Sequence, residues 1–131
     1  MELTADLAYL AWSAGLCAVL WVPYVLERVL SWGLIDAVGY PDNPPEAAKW
    51  ALRSQRAHLN LVENLVIFAS LVLVAHVAGA ANEMTALGAA LFFWGRVAHA
   101  VVFIFGIPWL RTLSFVVAWV GLVLIFLQIV T

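Results

Sequence analysis

Two stretches decide the fold of this chain: Arg53-Ser-Gln-Arg56-Ala-His58-Leu-Asn60-Leu-Val-Glu63 and, further on, Arg96-Val-Ala-His99. Both place charged side chains inside segments that otherwise consist of apolar residues. An ionised side chain at bilayer depth is costly, so it normally faces a partner or a wet cavity and has a function. The sequence therefore predicts a polar pocket inside an apolar helical bundle.

The composition is typical of a polytopic membrane protein. Of the 131 residues, 66% are hydrophobic and 11% are charged, more apolar content than a soluble domain of this length needs. The net charge of −2 gives no reason to expect nucleic acid as a partner. The single cysteine, Cys17, rules out an intrachain disulfide and lies in an apolar run, so we interpret it as a packing residue.

Four apolar segments each approach the ~20 residues that a membrane-spanning helix requires. With the polar start of the second included, we predict helices over roughly 5–26, 47–79, 84–105 and 109–130. A loop over about 27–46 contains Gly39-Tyr-Pro-Asp-Asn-Pro-Pro45, which suits neither helix interior nor strand. Short turns near Gly79 and Gly106 make the last three helices antiparallel neighbours. The prediction is an all-α integral membrane protein with one four-helix domain over 1–131.

The basic residues predict the orientation. They lie around the first loop and at the third: Arg28, Lys49, Arg53, Arg56 and Arg111. Since cytoplasmic loops carry an excess of Lys and Arg, both termini are expected outside, and the pocket is expected to open to the cytoplasm.

Helical spacing predicts which polar residues share a face. At ~100° per residue, four side chains of the second helix fall on a stripe about 80° wide: Arg53, Arg56, Asn60 and Glu63. His58 lies well round the helix from this stripe, while Arg96 and His99 share a face of the third helix. Glu63 and Arg96 have similar depth, so we expect them to neutralise one another. Either these charges form a structural knot that fixes helix register, or the surplus arginines receive an anionic ligand.

A stripe this polar cannot face lipid. Four short helices have little interior in which to hide it, so a subunit interface is the expected cover. The sequence thus predicts a homo-oligomer.

Other site chemistries find little support. His76 and His99 differ in depth by about 10 Å, which disfavours a bis-histidine haem. No set of four ligands supports a metal site, so none is predicted. The serines lack a His/Asp arrangement that would indicate a hydrolase.

Three motifs carry a family resemblance: Arg56-Ala-His58-x-Asn60-x-x-Glu63-Asn64, Arg96-Val-Ala-His99 and Gly106-Ile-Pro-Trp-Leu-Arg111. Over residues 51–115 the chain resembles the membrane-associated proteins in eicosanoid and glutathione metabolism (MAPEG), and most of all the short bacterial members similar to microsomal glutathione transferases. The resemblance implies a left-handed four-helix bundle in a bacterial inner membrane. It also implies a homotrimer that binds glutathione between neighbouring subunits.

The resemblance also implies roles for particular residues. The expected glutathione-binding residues are Arg53, Arg56, His58, Asn60, Glu63, Arg96 and His99, with Arg28 as a further candidate. Arg111 occupies the place of the arginine that stabilises the thiolate, and is the expected catalytic residue. Phe103 and Phe115 stand where eicosanoid-type members carry tyrosines, and a phenyl ring cannot donate to a thiolate.

These implications predict a glutathione transferase or peroxidase that acts on lipophilic electrophiles dissolved in the membrane lipid. The alternative is a non-catalytic scaffold of the same family or a subunit of a larger membrane complex. The absence of both tyrosines favours the alternative, and binding of glutathione would distinguish the two.

Overall fold

The computed structural model describes residues 3–131; Met1 and Glu2, the first two residues of the predicted domain, lie outside this range. The chain forms α1 (Ala5–Val19), α2 (Val22–Trp32), α3 (Leu34–Val38), α4 (Lys49–Val77), α5 (Glu83–Ile104) and α6 (Pro108–Val130). Four helical segments are long and apolar enough to cross a membrane: Ala5–Trp32, Lys49–Val77, Glu83–Ile104 and Pro108–Val130. The predicted all-α membrane protein with four spanning helices is confirmed.

The first span differs from the prediction in two ways. It continues to Trp32, although the sequence predicted a loop from residue 27. It is also broken at Leu20 and Trp21 into α1 and α2. Pro23 lies in the first turn of α2, where its missing N–H costs little, so the proline begins a second helix.

The helices α5 and α6 form the closest pair in the bundle. A Cβ atom built at Gly88 would lie 2.6 Å from the carbonyl oxygen of Gly121, and one at Gly121 would lie 2.3 Å from that of Gly88. Gly95 meets the backbone of Ala118 in the same way. Small residues let helix backbones approach closely in a membrane, where lipid gives no hydrophobic force to bring helices together.

An apolar core joins α4 to this pair. The rings of Phe68 and Phe92 stack with centroids 4.0 Å apart, and both side chains are fully buried. Leu61 and Val72 from α4 and Ile125 from α6 complete the core. This packing fixes α4 against α5, and so it fixes the depth at which their polar side chains meet.

The end of the bundle near both chain termini, called here the terminal end, is tied by polar contacts. The Asp6 carboxylate accepts hydrogen bonds from Thr4 Oγ1 (2.6 Å) and from His76 Nε2 (2.9 Å). Asn82 caps α5 with its side chain and donates to Gln128 Oε1 (2.7 Å). All four spans therefore meet at the terminal end, and the opposite end carries the loop between α3 and α4.

Candidate functional site

The centre of the site is a polar contact between α4 and α5. Arg96 is only 2% exposed, and its Nη2 donates to Asn60 Oδ1 at 2.7 Å. The remaining side-chain nitrogens of Arg96, Nε and Nη1, are buried and have no hydrogen-bond partner within residues 3–131. Every N–H of a guanidinium is a donor, so the two unpaired nitrogens of Arg96 can each bind an acceptor from outside the protomer.

The predicted neutralisation of Arg96 by Glu63 is wrong. Asn60 reaches Arg96 instead, and the described chain holds no Arg–Glu pair within 4 Å. Glu63 lies three residues beyond Asn60, and ~100° per residue turns it about 60° further from α5. It is exposed on the outer face of α4.

His99 lies one turn beyond Arg96 on the same face of α5. It is 3% exposed, and its Nδ1 is buried without a partner in the described residues. The imidazole lies between two phenyl rings, with centroid distances of 5.3 Å to Phe103 and 6.0 Å to Phe115. The arrangement places a polar ring in an apolar wall beside the guanidinium of Arg96.

The two phenylalanines also face the cations. The guanidinium carbon of Arg111 lies 5.0 Å from the centroid of Phe103, and that of Arg96 lies 5.7 Å from Phe115. A guanidinium within about 6 Å of an aromatic face is attracted to its quadrupole. The sequence did not predict that these rings contact the arginines. The positions of the arginines and phenylalanines along each helix are visible in the sequence. Each arginine, however, contacts a phenylalanine of the other helix, and spacing within one helix does not predict such a contact.

A cavity of about 260 Å³ lies beside the contact between Arg96 and Asn60; Arg96 does not line it, but touches its wall at Asn60 and Phe115. Its lining comes from three helices and consists of Asn60, His99, Phe103, Arg111, Thr112 and Phe115. Thr112 was not predicted as a site residue. Larger cavities of about 470 and 460 Å³ lie between α1 and α5, and one of about 340 Å³ lies between α5 and α6. None of these three is lined by a charged residue or a histidine, whereas the smaller cavity is lined by Arg111 and His99. The smaller cavity is therefore the candidate site.

Three of the sequence-predicted residues lie elsewhere. Arg53 donates from Nε to the carbonyl oxygen of Ile104 (2.9 Å) at the end of α5. His58 faces the first span, where its ring contacts Tyr24. Arg28 lies on α2 with its guanidinium 5.0 Å from the ring of Trp32. In a single protomer these three side chains do not line the cavity.

Arg56 and Glu63 lie on a face of α4 that no other helix of the protomer covers. Both are exposed, seven residues or two helical turns apart, and the same face continues through Ser70 to Val77. Ionic groups inside a spanning helix do not face lipid without a partner. This α4 face is next to Asn60, so whatever covers it also adjoins the cavity.

The fold and site define a class: an integral membrane protein with four spanning helices and a cationic site at the end of the bundle opposite its termini. The family model described as MAPEG family matches residues 9–131, and the chain belongs to this family. The family includes glutathione transferases and peroxidases as well as non-catalytic members, and its members generally use glutathione. Comparison with curated proteins and with solved structures gave no match.

Proposed function

We propose that this protein binds glutathione in the cavity between α4, α5 and α6 and transfers it to lipophilic electrophiles, or uses it to reduce lipophilic peroxides. The observation that carries the proposal is Arg96, almost completely buried in a spanning helix with two nitrogens unpaired. A buried charge without a counter-charge is costly, so the protein has reason to hold it only for a ligand that supplies the missing acceptors.

The chemistry of the lining supports an anionic peptide-like ligand. Arg111 lines the cavity, and Arg96 lies directly behind its wall, where it contacts the lining residues Asn60 and Phe115. Neither arginine has a carboxylate within 4 Å in residues 3–131. Guanidinium groups bind carboxylates through paired N–H donors. Glutathione has two carboxylates, two amides and one thiol, so it can satisfy the arginines with its carboxylates and thiolate and Asn60 with an amide.

Arg111 lines the cavity, where its positive charge could stabilise the thiolate of a bound thiol. It lies in the first turn of α6, where the helix dipole also favours negative charge. A positive charge beside the sulfur lowers the pKa of a bound thiol by stabilising the thiolate. In the transfer reaction the sulfur–carbon bond forms as the leaving group departs with its electron pair, and Arg111 would hold the charge on sulfur before the attack.

A second copy of the chain would complete the site. The exposed face of α4 carries Arg56 and Glu63, and burying it against a copy of itself removes both from lipid. Because this face adjoins Asn60, the two side chains would then lie at the edge of the cavity. We propose a homotrimer in which Arg56 and Glu63 join Asn60, Arg96, His99 and Arg111. Arg28, Arg53 and His58 serve helix packing in this proposal.

The charge distribution supports an orientation in the membrane. Five of the six basic residues lie toward the loop end: Arg28, Lys49, Arg53, Arg56 and Arg111. The residues at the terminal end include no Lys or Arg in the described part of the chain. We therefore propose that the protein lies in a bacterial inner membrane, with both termini outside and the cavity toward the cytoplasm, as the positive-inside rule predicts.

Calorimetric titration of the purified protein in detergent with glutathione tests the proposal. Asn60→Ala should weaken binding by about 1 to 3 kcal/mol, because the change leaves buried polar partners unpaired. Asn43→Ala is the matched control, since Asn43 is exposed in the loop and does not line the cavity. The absence of any heat of binding in the wild-type protein, or equal affinities in all three proteins, would refute the site.

A non-catalytic scaffold is the second candidate, and one observation favours it. Phe103 and Phe115 lie against Arg111 and Arg96, so the cations already have aromatic partners inside the protomer. A protein that used the family fold only for assembly would have no need for a hydroxyl at either position. Such a protein would give no turnover with any electrophile and no titration heat with glutathione.

A further inference from the structure

The first span consists of two pieces joined at a weak point. α1 ends at Val19, and α2 begins at Val22. Pro23 has no N–H, so the carbonyl of Val19 lacks the donor that a continuous helix would provide. At its far end α2 stops at Gly33, whose φ of 83° turns the chain into α3. The segment Val22–Val38, called here the arm, thus begins at one break and contains a second break at Gly33.

One side chain of α4 binds both pieces of the span. The Nε2 atom of His58 lies 3.0 Å from the carbonyl oxygen of Cys17 in α1, and Nδ1 lies 2.8 Å from the hydroxyl of Tyr24 in α2. A carbonyl can only accept, so Nε2 carries the proton. In the neutral ring Nδ1 then accepts from the Tyr24 hydroxyl. His58 thereby connects the two sides of the break.

The arm has little else to hold it. Whereas α1 packs against both α4 and α5, α2 packs against α4 and its own continuation α3. The buried residues in the part of α4 before His58 are small: Ala51, Ser54 and Ala57, each at most 2% exposed. Lipid competes equally well for apolar surface, so polar contacts take a larger share in holding membrane helices together.

The contact between α2 and α4 is also imperfectly paired. Glu27 lies one turn beyond Tyr24, and its Oε1 accepts from Ser31 Oγ at 2.5 Å. Its Oε2 is buried without a partner, as is the hydroxyl of Ser54, one turn before His58 on α4. Buried polar atoms without partners raise the free energy of the closed contact, so the arm is less firmly seated than the α5–α6 pair.

We propose that the arm swings away from α4 and back, and that the Tyr24–His58–Cys17 carbonyl contact is the latch that holds it closed. Opening parts α2 from α4 in the half of the membrane near the loop end. Glu27 Oε2 and Ser54 Oγ then gain access to water. The inference depends on contacts outside the candidate cavity and holds whether or not glutathione binds.

Cys17 provides a natural reporter of the latch. It is the single cysteine of the chain, is half-buried, and its Sγ lies 3.9 Å from His58 Nε2. The rate at which N-ethylmaleimide labels Cys17 in the full-length protein should rise about fivefold or more in Tyr24→Phe and in His58→Leu, the change expected from losing one net hydrogen bond. Tyr9→Phe is the matched control, since the Tyr9 hydroxyl makes no side-chain hydrogen bond in the described chain, and it should label at the wild-type rate.

A double variant and hydrogen exchange separate the latch from general destabilisation. The Tyr24→Phe/His58→Leu protein should label no faster than the faster single variant, because both changes break one linked contact. Amide exchange should accelerate in α2 and remain at wild-type rates in α6. Unchanged labelling in the single variants, effects that multiply in the double variant, or equal acceleration in α2 and α6 would each overturn the proposal.

Discussion

Arg96 can donate five hydrogen bonds, and among residues 3–131 only Asn60 accepts one from its side chain. The strong preference of buried donors for partners means that the unpaired nitrogens define where a ligand or a neighbouring subunit must supply oxygen atoms. At the scale of single residues, the unpaired nitrogens of Arg96 therefore identify the site. Arg111 supplies a second cation near the cavity surface, where it contacts Phe103.

Arg111 should carry the thiolate if the protein is catalytic. The wild-type protein with bound glutathione should show thiolate absorbance in the ultraviolet near neutral pH, well below the thiol reference pKa of about 8.5. Arg111→Ala should abolish this signal while binding persists through Arg96 and Asn60. Arg111→Lys retains the charge and should retain part of the signal. A thiolate signal that survives Arg111→Ala would assign the role to another group.

The residues of the cavity could be predicted only in part. Spacing indicated that Arg96 and His99 share a face of α5 and that Asn60 lies on the polar stripe of α4, and the basic cluster included Arg111. The family resemblance added the roles of Asn60 and Arg111. The partner of Arg96 could not be chosen from spacing, because Asn60 and Glu63 differ by only one helical turn. Packing of α4 against α5 through Phe68 and Phe92 rotates Asn60 inward, and a helical wheel contains no information about that rotation.

At the scale of elements, the α5–α6 pair is the most tightly determined part of the fold. Its two backbones meet at Gly88 and Gly121, where no side-chain atom separates them. Such a contact tolerates no added volume, because the obstacle is another backbone and cannot change rotamer.

Gly121→Ala should therefore destabilise the protein. Its new Cβ would overlap the carbonyl oxygen of Gly88, and overpacking of this kind typically costs about 1 to 3 kcal/mol. Gly15→Ala is the matched control, because a Cβ at Gly15 has no neighbour within 4 Å. Thermal unfolding in detergent, followed by circular dichroism, should show a lower midpoint for Gly121→Ala only. Equal midpoints would mean that the pair can separate without cost.

The existence of the spanning helices could be predicted from apolar length, but the break in the first one could not. Residues 5–26 form one apolar run, and Pro23 is compatible both with a kink and with a helix start. The sequence did not predict the helical continuation to Trp32, because the charged pair Glu27 and Arg28 is typical of the polar end of a span. In the structure Glu27 is buried instead, while α2 packs against α4, a tertiary arrangement that local sequence does not reveal.

At the scale of the whole molecule, the uncovered face of α4 decides the assembly. Arg56 and Glu63 on this face would meet acyl chains in an isolated protomer, which is unfavourable for both. A closed ring of copies buries the face in every subunit, whereas an open pair leaves part of it in lipid.

Mass measurement in mild detergent should give three copies of the 14.3 kDa chain. Glu63→Arg places like charge beside Arg56 on the shared face and should shift the population toward monomer. Glu83→Arg makes the same substitution at an exposed position at the start of α5 and should leave the trimer intact. A wild-type monomer in several detergents would contradict the proposed assembly.

The polar tie at the terminal end has a consequence for biosynthesis. Asp6 and His76 are 70 residues apart in sequence, so their contact cannot form until the second span has been made. At typical synthesis rates of 5 to 20 residues per second, the interval is roughly 4 to 14 s. Until the second span has been made, the Asp6 carboxylate lacks its His76 partner. The polar contact that holds the first span at the terminal end can therefore form only after the second span is complete.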